Sequence, residues 1–500
     1  MDGPTRKATD CIFPLGRGLR AAPHLSARRR TVKSFTRTAT LMTVVALALA
    51  GCSGGGDDPE TEDGEETVAA SESITLWLQE DLPDRVAATQ AIVDDFTAAS
   101  GVEVEVVPVA EDQFNQLLTS AAAAGDLPDV ISGLALPQVR TLSANEMLDT
   151  EATGALLEEL DPSTFAERAV ELTRDGDTQL AIPSESWTQL LYYRTDLFDA
   201  AGLEAPTSYE AILAAAEALD SEEVAGFVGA NSPGDAFTEQ TFEHIALGND
   251  CQMVDEGGEV LLDSPECVEA FDFYGQLVND YSVPGAQDVD TTRASYFAGQ
   301  AAMFIWSTFV LDEMAGLRND AMPSCTECTD DPAFLAENTG VVTAIEGPSG
   351  GDPAQFGEVT SWVITDGAAV ESASAFIEYM MNDGYVPWIA IAPEGKVPVR
   401  LGTPDNPTEF SDAWADLPVG VDTKAPLSEF YAPEVLEALA MGPSDLSRWG
   451  IAQGQGDLIG ATQGEHPVAT AVSEVTSGAD AQTAAEEAAE AVRSIQASIQ

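Results

Sequence analysis

From residue 74 onward the chain switches between two hydrophobic periods, and this alternation restricts the fold more than any other feature. Residues 74–79, Ile-Thr-Leu-Trp-Leu-Gln, are β-rich with period two, the pattern of a strand. Over residues 84–100 the period becomes helical, with Val86, Ala87, Ile92 and Phe96 recurring on one face, and the pattern stops at Gly101. Residues 102–109 read as a second strand, 111–124 as a second helix ended by Gly125, and Val130-Ile131 as the centre of a third strand. Strands that alternate with helices need crossover connections, so the expected architecture is a parallel α/β sheet with right-handed crossovers. Ligands of such sheets sit at the carboxyl ends of the strands.

Upstream, residues 41–52 read LMTVVALALAGC, preceded by Arg28, Arg29, Arg30, Lys33 and Arg37 and followed by SGGGDDPETEDGEE. A basic flank, a short apolar core and small residues before a cut are the layout of a secretory signal. The apolar run is far shorter than the roughly 20 residues of a spanning helix. Leu49-Ala50-Gly51-Cys52 resembles the lipobox of bacterial lipoprotein signals, which implies a diacylglycerol on the Cys52 thiol and cleavage just before it. Two acyl chains give the stable anchoring that one cannot. Residues 1–51 are therefore expected to be an extension and signal peptide, with the body lipid-anchored on the extracytoplasmic face of the cell membrane. Residues 1–27 delay the signal unusually, which suggests a start at Val32. The arginine pair fits twin-arginine export poorly, and the general secretory route is expected.

Nine of the 21 basic and two of the 85 acidic residues lie in the first 51, leaving 12 against 83, a net charge of −71. That field repels nucleic acid and anionic membrane surfaces. Only Lys396 and Lys424 remain as lysines after Cys52. With 44 % hydrophobic residues the chain is no disordered acidic tail, and its length suffices for two or more domain-sized cores. Residues 52–72 form an acidic linker that need not fold.

After Cys52, Cys251, Cys267, Cys325 and Cys328 remain, an even number outside the cytoplasm and most simply two disulfides. Cys251 and Cys267 flank an apparent hairpin, VDEGGEVLLD. Cys325-Thr-Glu-Cys328 could close a small loop, act as a redox pair or supply half a zinc site. No second CxxC accompanies it, and His24, His244 and His466 lie elsewhere. A structural disulfide is the expectation, with no metal and no cofactor.

The order strand–helix–GVEVEVVPV–helix–AAAAGDLPDVISG is similar to the N-terminal lobe of extracellular solute-binding proteins, the receptors of ATP-binding-cassette importers. LLYYRTDLFDAAGLEAPTSYEAILAAAEAL, SPECVEAFDFYGQLVND, ASYFAGQAAMFIWSTFVLDE and AVESASAFIEYMMNDGYVPWIAIAPEGKVPVR follow in that family's order, closest to its carbohydrate-type family 1. The resemblance implies a type II-like, two-lobe α/β periplasmic-binding-protein fold with hinge strands and an interlobe cleft. It places one lobe at residues 73–184 plus 361–403 and the other at 185–360 plus 404–500. The first crossing is expected near 182–184, the return near 360–361, a further crossing near Gly402 and the last helix at 479–499. It also implies a monomer that hands its solute to membrane permease subunits.

Sugars offer apolar ring faces edged with hydroxyls, which aromatic rings and carboxylates or amides recognise. By position in the family, the expected ligand-binding residues are Gln79, Glu80 and Asp81 after the first strand, Ser132 and Gly133 after the third, Glu185 and Trp187 past the crossing, Trp306, and Thr360, Ser361 and Trp362 at the return. Many members have Gly-Gly where Thr360-Ser361 stands. Trp77 leans to the core, and Phe237 and Gln240, placed in a loop before a helix, are second-tier candidates. An enzyme is not expected. Glu80 and Asp81 are neighbours on a strand and point to opposite faces, unlike the facing carboxyls of glycoside hydrolysis. Dinucleotide, phosphate-loop and His-Glu-x-x-His motifs are missing from the sequence. The field disfavours anionic solutes, so a neutral sugar or oligosaccharide is expected, with a polyamine-like solute as alternative. A sensory receptor would use the same fold.

Overall fold

The computed structural model describes residues 73–351 and 353–499. The signal, Cys52 and the linker lie outside the described residues. Strand β1 (Ile74–Leu78) leads into helix α1 (Pro83–Ser100), where Pro83 at the first helical turn removes an amide that has no helical acceptor anyway. Strand β2 (Val104–Pro108), helix α2 (Glu111–Ala124), strand β3 (Val130–Leu134) and helix α3 (Leu136–Ala144) follow. β1 lies between β2 and β3 and is parallel to both. The local periods thus specify this first sheet segment correctly.

The sheet as a whole is mixed rather than parallel. The strand Gln355–Ile364 runs antiparallel beside β3, and the 13-residue strand Ile182–Arg194 antiparallel beside that. The long strand serves two neighbourhoods. Its first half pairs with Gln355–Ile364, from Ile182 opposite Trp362 to Thr188 opposite Gly357. Its second half pairs with Met303–Ser307 and Thr339–Val342. Near 183–185 the register shifts, with Pro183 opposite Ser361 and Glu185 opposite Thr360. Proline has no amide to give a ladder, which suits this irregularity.

Burial follows the same division. Ile74, Leu76, Val93, Phe96, Trp362, Phe376 and Trp388 share one apolar cluster around the first sheet segment. Phe242, Phe271, Tyr274, Trp449 and the alanines of the last helix, Ala481–Ile499, share another. A third gathers Tyr192, Phe304, Trp306, Leu311 and Met314. The Phe271 and Phe242 rings stack at 4.2 Å.

Both disulfides are formed. Cys251 bonds Cys267 beside the bridge that pairs Val254 with Val260, and Cys325 bonds Cys328. Gly202 ends the helix Thr195–Ala201 in the left-handed region at φ 70°, which a side chain would resist. The next helix starts at Tyr209, capped by Ser208. Phe237 and Gln240 belong to the helix Ala236–Leu247 and not to a loop before it. Asp235 caps that helix by accepting the Phe237 amide at 3.4 Å.

Candidate functional site

The carboxyl end of β1, the loop after Met303–Ser307 and the turn before Lys396 meet in one place. Just past β1, Glu80 accepts the amides of Asp81 and Leu82 at 3.0 and 2.9 Å and the Arg85 guanidinium at 3.2 Å. This fixes the entrance of α1 and aims Arg85 across the site. The second Arg85 terminal nitrogen stands 3.9 Å from Glu394, and the guanidinium lies 5.7 Å from the Phe309 ring centre. Phe309 in turn packs against Gly395, where a Cβ would come within 2.0 Å of the ring. Only glycine permits that approach.

Several buried polar atoms here have no hydrogen-bond partner: Gln79 Oε1, Arg85 Nε, Thr308 Oγ1, Asp312 Oδ1 and Glu394 Oε2. Such groups are rare in folded proteins because each costs desolvation without return. Gln79 Oε1 can only accept and the two carboxyls accept or, when protonated, donate, which suits a solute rich in hydroxyls. Burial first, and the neighbouring Glu394 charge second, push Asp312 up to about 8. Burial raises Glu394 as well.

The expected site residues divide. Gln79, Glu80 and exposed Asp81 stand at this mouth. Gly133, at φ +78°, lies beside Gln79, whose Cβ would stand 3.4 Å from a Cβ placed at that glycine. Trp187 is half-buried with its ring 5.8 Å from Phe356. Thr360 is half-buried and donates to the Glu185 carbonyl at 3.4 Å. Glu185 is buried and already engaged: Lys396 Nζ reaches it at 2.6 Å and Trp388 Nε1 donates to it at 2.8 Å. The Lys396 ammonium also sits 3.8 Å from the Trp388 ring centre.

Four further expected residues are buried. Trp362 is fully enclosed in the core, with Trp388 at 5.0 Å and its Nε1 donating to Ser184. Trp306 packs between Phe237 and Arg293 and donates to the Val289 carbonyl, so its ring is core rather than a free stacking face. Ser132 is buried with its hydroxyl on the Trp77 carbonyl, and Ser361 is buried beneath the strand pairing. Trp77 packs edge-on to Phe114, as its place inside a strand suggests.

Arg85, Phe309, Asp312, Glu394 and Lys396 are contributed by the fold and were not singled out by sequence. Lys396 carried one signal, being one of two lysines after Cys52.

Away from the mouth lies a second buried ionic group. Glu358 accepts the Leu136 amide at 2.8 Å and pairs with Arg448, which also reaches Glu243 at 3.3 Å; Glu243 accepts the Trp449 amide at 2.6 Å. Burial raises Glu243 to about 7, with Arg448 opposing. Beside it His244 accepts the Phe356 amide, and burial lowers it to about 3, so it is neutral. The cluster ties the start of α3 to three other elements.

Comparison with known proteins gives these features a context. YcjN of Escherichia coli (strain K12), named as an ABC transporter periplasmic-binding protein, is 24% identical over 367 residues, covering 71% of this chain and 79% of YcjN. The GacH receptor of Streptomyces glaucescens superposes with a TM-score of 0.61 at 20% identity, over 85% of this chain and 98% of GacH. Maltose-bound MalE3 of T. maritima gives 0.63 at 19% identity, over 84% of this chain and 99% of its own. These likenesses establish an α/β fold of the periplasmic sugar-binding type. Residues 91–418 match the family model of the bacterial extracellular solute-binding proteins, well over half of the sequence, so the chain belongs to that family, whose members bind solutes and are not enzymes.

Proposed function

We propose that this protein is the lipid-anchored receptor of an ATP-binding-cassette importer, capturing a neutral sugar or oligosaccharide between two lobes and delivering it to permease subunits. One observation carries the reading. Unpartnered, buried oxygens of Asp312 and Glu394 face Arg85, which lies against Phe309, and that of Gln79 stands one residue before the Glu80 that holds Arg85. Hydroxyls satisfy such acceptors, and the Phe309 ring offers an apolar face to a sugar ring. Structural neighbours support the ligand class: GacH is described with acarbose and MalE3 with maltose. The lobes are 73–184 plus 361–403 and 185–360 plus 404–500, hinged where Pro183 lies opposite Ser361. A solute shifts this equilibrium only by as much as it prefers the closed arrangement. Cys52 holds the monomeric body to the membrane through its acyl chains.

A thermal-shift screen of the full chain carrying Cys52→Ser tests the reading against neutral glycans and polyamines. A glycan at a hundred times its Kd should add about 2.7 kcal/mol of stability. That shift should vanish in Phe309→Ala and shrink in Trp187→Ala. Stabilisation by polyamines alone, or by a glycan undiminished in Phe309→Ala, would overturn the ligand or the site.

A further inference from the structure

We infer that closing the two lobes on each other takes up a proton on the buried carboxyl pair Asp312 and Glu394, so that capture weakens as pH rises. The inference rests on the two-lobe reading above and adds a regulation to the same site. Asp312 stands on the short helix Val310–Met314, whose Leu311 and Met314 belong to the third apolar cluster. Glu394 follows the helix Tyr385–Ile389, whose Trp388 and Ile389 belong to the cluster around β1. The two carboxyls thus come from opposite sides of the proposed cleft, and each is only 1% exposed. Each also keeps one oxygen without a hydrogen-bond donor.

Their surroundings do not neutralise them. Asp312 is faced by Glu394, by Arg85 from α1, and by Glu313 and Arg318 from its own side. Glu394 is faced by Arg85, Arg318 and Lys424. Arg318 is already engaged by Asp320 at 2.7 Å and by Glu313 at 3.4 Å, which Arg293 also holds; Arg85 is engaged by Glu80. Tyr431 closes the group and is neutral, since burial raises its hydroxyl well above the usual range and that hydroxyl donates to the Leu311 carbonyl. With counter-ions committed elsewhere, two buried like charges that feel each other keep one carboxyl of the pair protonated instead of both ionising.

The sign follows from linkage. An aspartate in water titrates near 3.9, whereas Asp312 enclosed here titrates at about 8. Between those limits the closed arrangement binds more protons than the open one. Raising pH through that window therefore favours opening, by up to about tenfold in the closed-to-open ratio per unit and per proton. Above it the effect levels off.

The test needs no ligand. Small-angle X-ray scattering of the full Cys52→Ser chain from pH 5 to 8.5 should give a radius of gyration that grows with pH. Asp312→Asn, which cannot ionise, should stay compact throughout, and Glu394→Gln should behave alike if the first variant folds poorly. General repulsion of the acidic surface acts equally on all three proteins, so the variants separate the two causes. A constant radius in the parent chain, or the full pH response in both variants, would overturn the inference. A glycan shift seen alongside either result would leave the receptor reading standing.

Discussion

At the scale of single residues, a buried charge is the sharpest marker in this molecule. Arg448 sits between Glu243 and Glu358 without access to water. Removing it in Arg448→Ala leaves two uncompensated carboxylates and should cost about 3–5 kcal/mol in urea unfolding. Glu243 gives a pH signature of its own. Its carboxyl is raised to about 7 in the fold, from near 4.3 unfolded, so the folded state holds the extra proton. Stability should fall as pH rises from about 4.5 to 7 and then level, and Glu243→Gln should flatten that slope in melting curves. Gly395→Ala places a methyl into the Phe309 ring and should cost about 1–3 kcal/mol by overpacking, with loss of glycan stabilisation. The carboxylates of the site were illegible in sequence for a plain reason. Asp312 and Glu394 are two among 83 acidic residues after the signal, and only burial distinguishes them.

At the scale of elements, local periodicity specified β1, α1, β2, α2 and β3 to within a few residues, because each face of these elements meets one kind of environment. It failed on direction. An apolar run such as the one ending at Ile364 reads the same whether its neighbour runs parallel or antiparallel, and the mixed sheet follows from pairing alone. Tryptophan was equally ambiguous: Trp306 and Trp362 were read as ring faces for a sugar, yet both fill cores. The ring needs enclosure in either role, so the residue type does not decide. The disulfides act at this scale too. Cys251 and Cys267 are 16 residues apart and Cys325 and Cys328 three apart. Loop-closure entropy predicts roughly 3 kcal/mol from the first and much less from the second. Unfolding of Cys251→Ala/Cys267→Ala and of Cys325→Ala/Cys328→Ala, compared under one denaturant, should rank them in that order.

At the scale of the whole molecule, the acidic surface sets conditions for folding without choosing the fold. Self-repulsion destabilises a compact chain of this charge, and salt screens it. Melting temperature should therefore climb between about 0.05 and 1 M NaCl, and a flat response would show that ion pairs had already balanced the surface. By itself the sequence determined the compartment expectation, the opening strand–helix order, an even set of cysteines suited to two disulfides, and the family, through five segments in register. These are properties of neighbouring residues or of their order, which a chain carries before it folds. The structure alone decided what meets at the mouth. Arg85, Phe309, Asp312 and Glu394 span some three hundred positions, and only the pairing of Ile182–Arg194 with strands from both halves brings them together. Burial, which turns a common carboxylate into a raised, unpartnered one, is a property of that assembly and of no local segment.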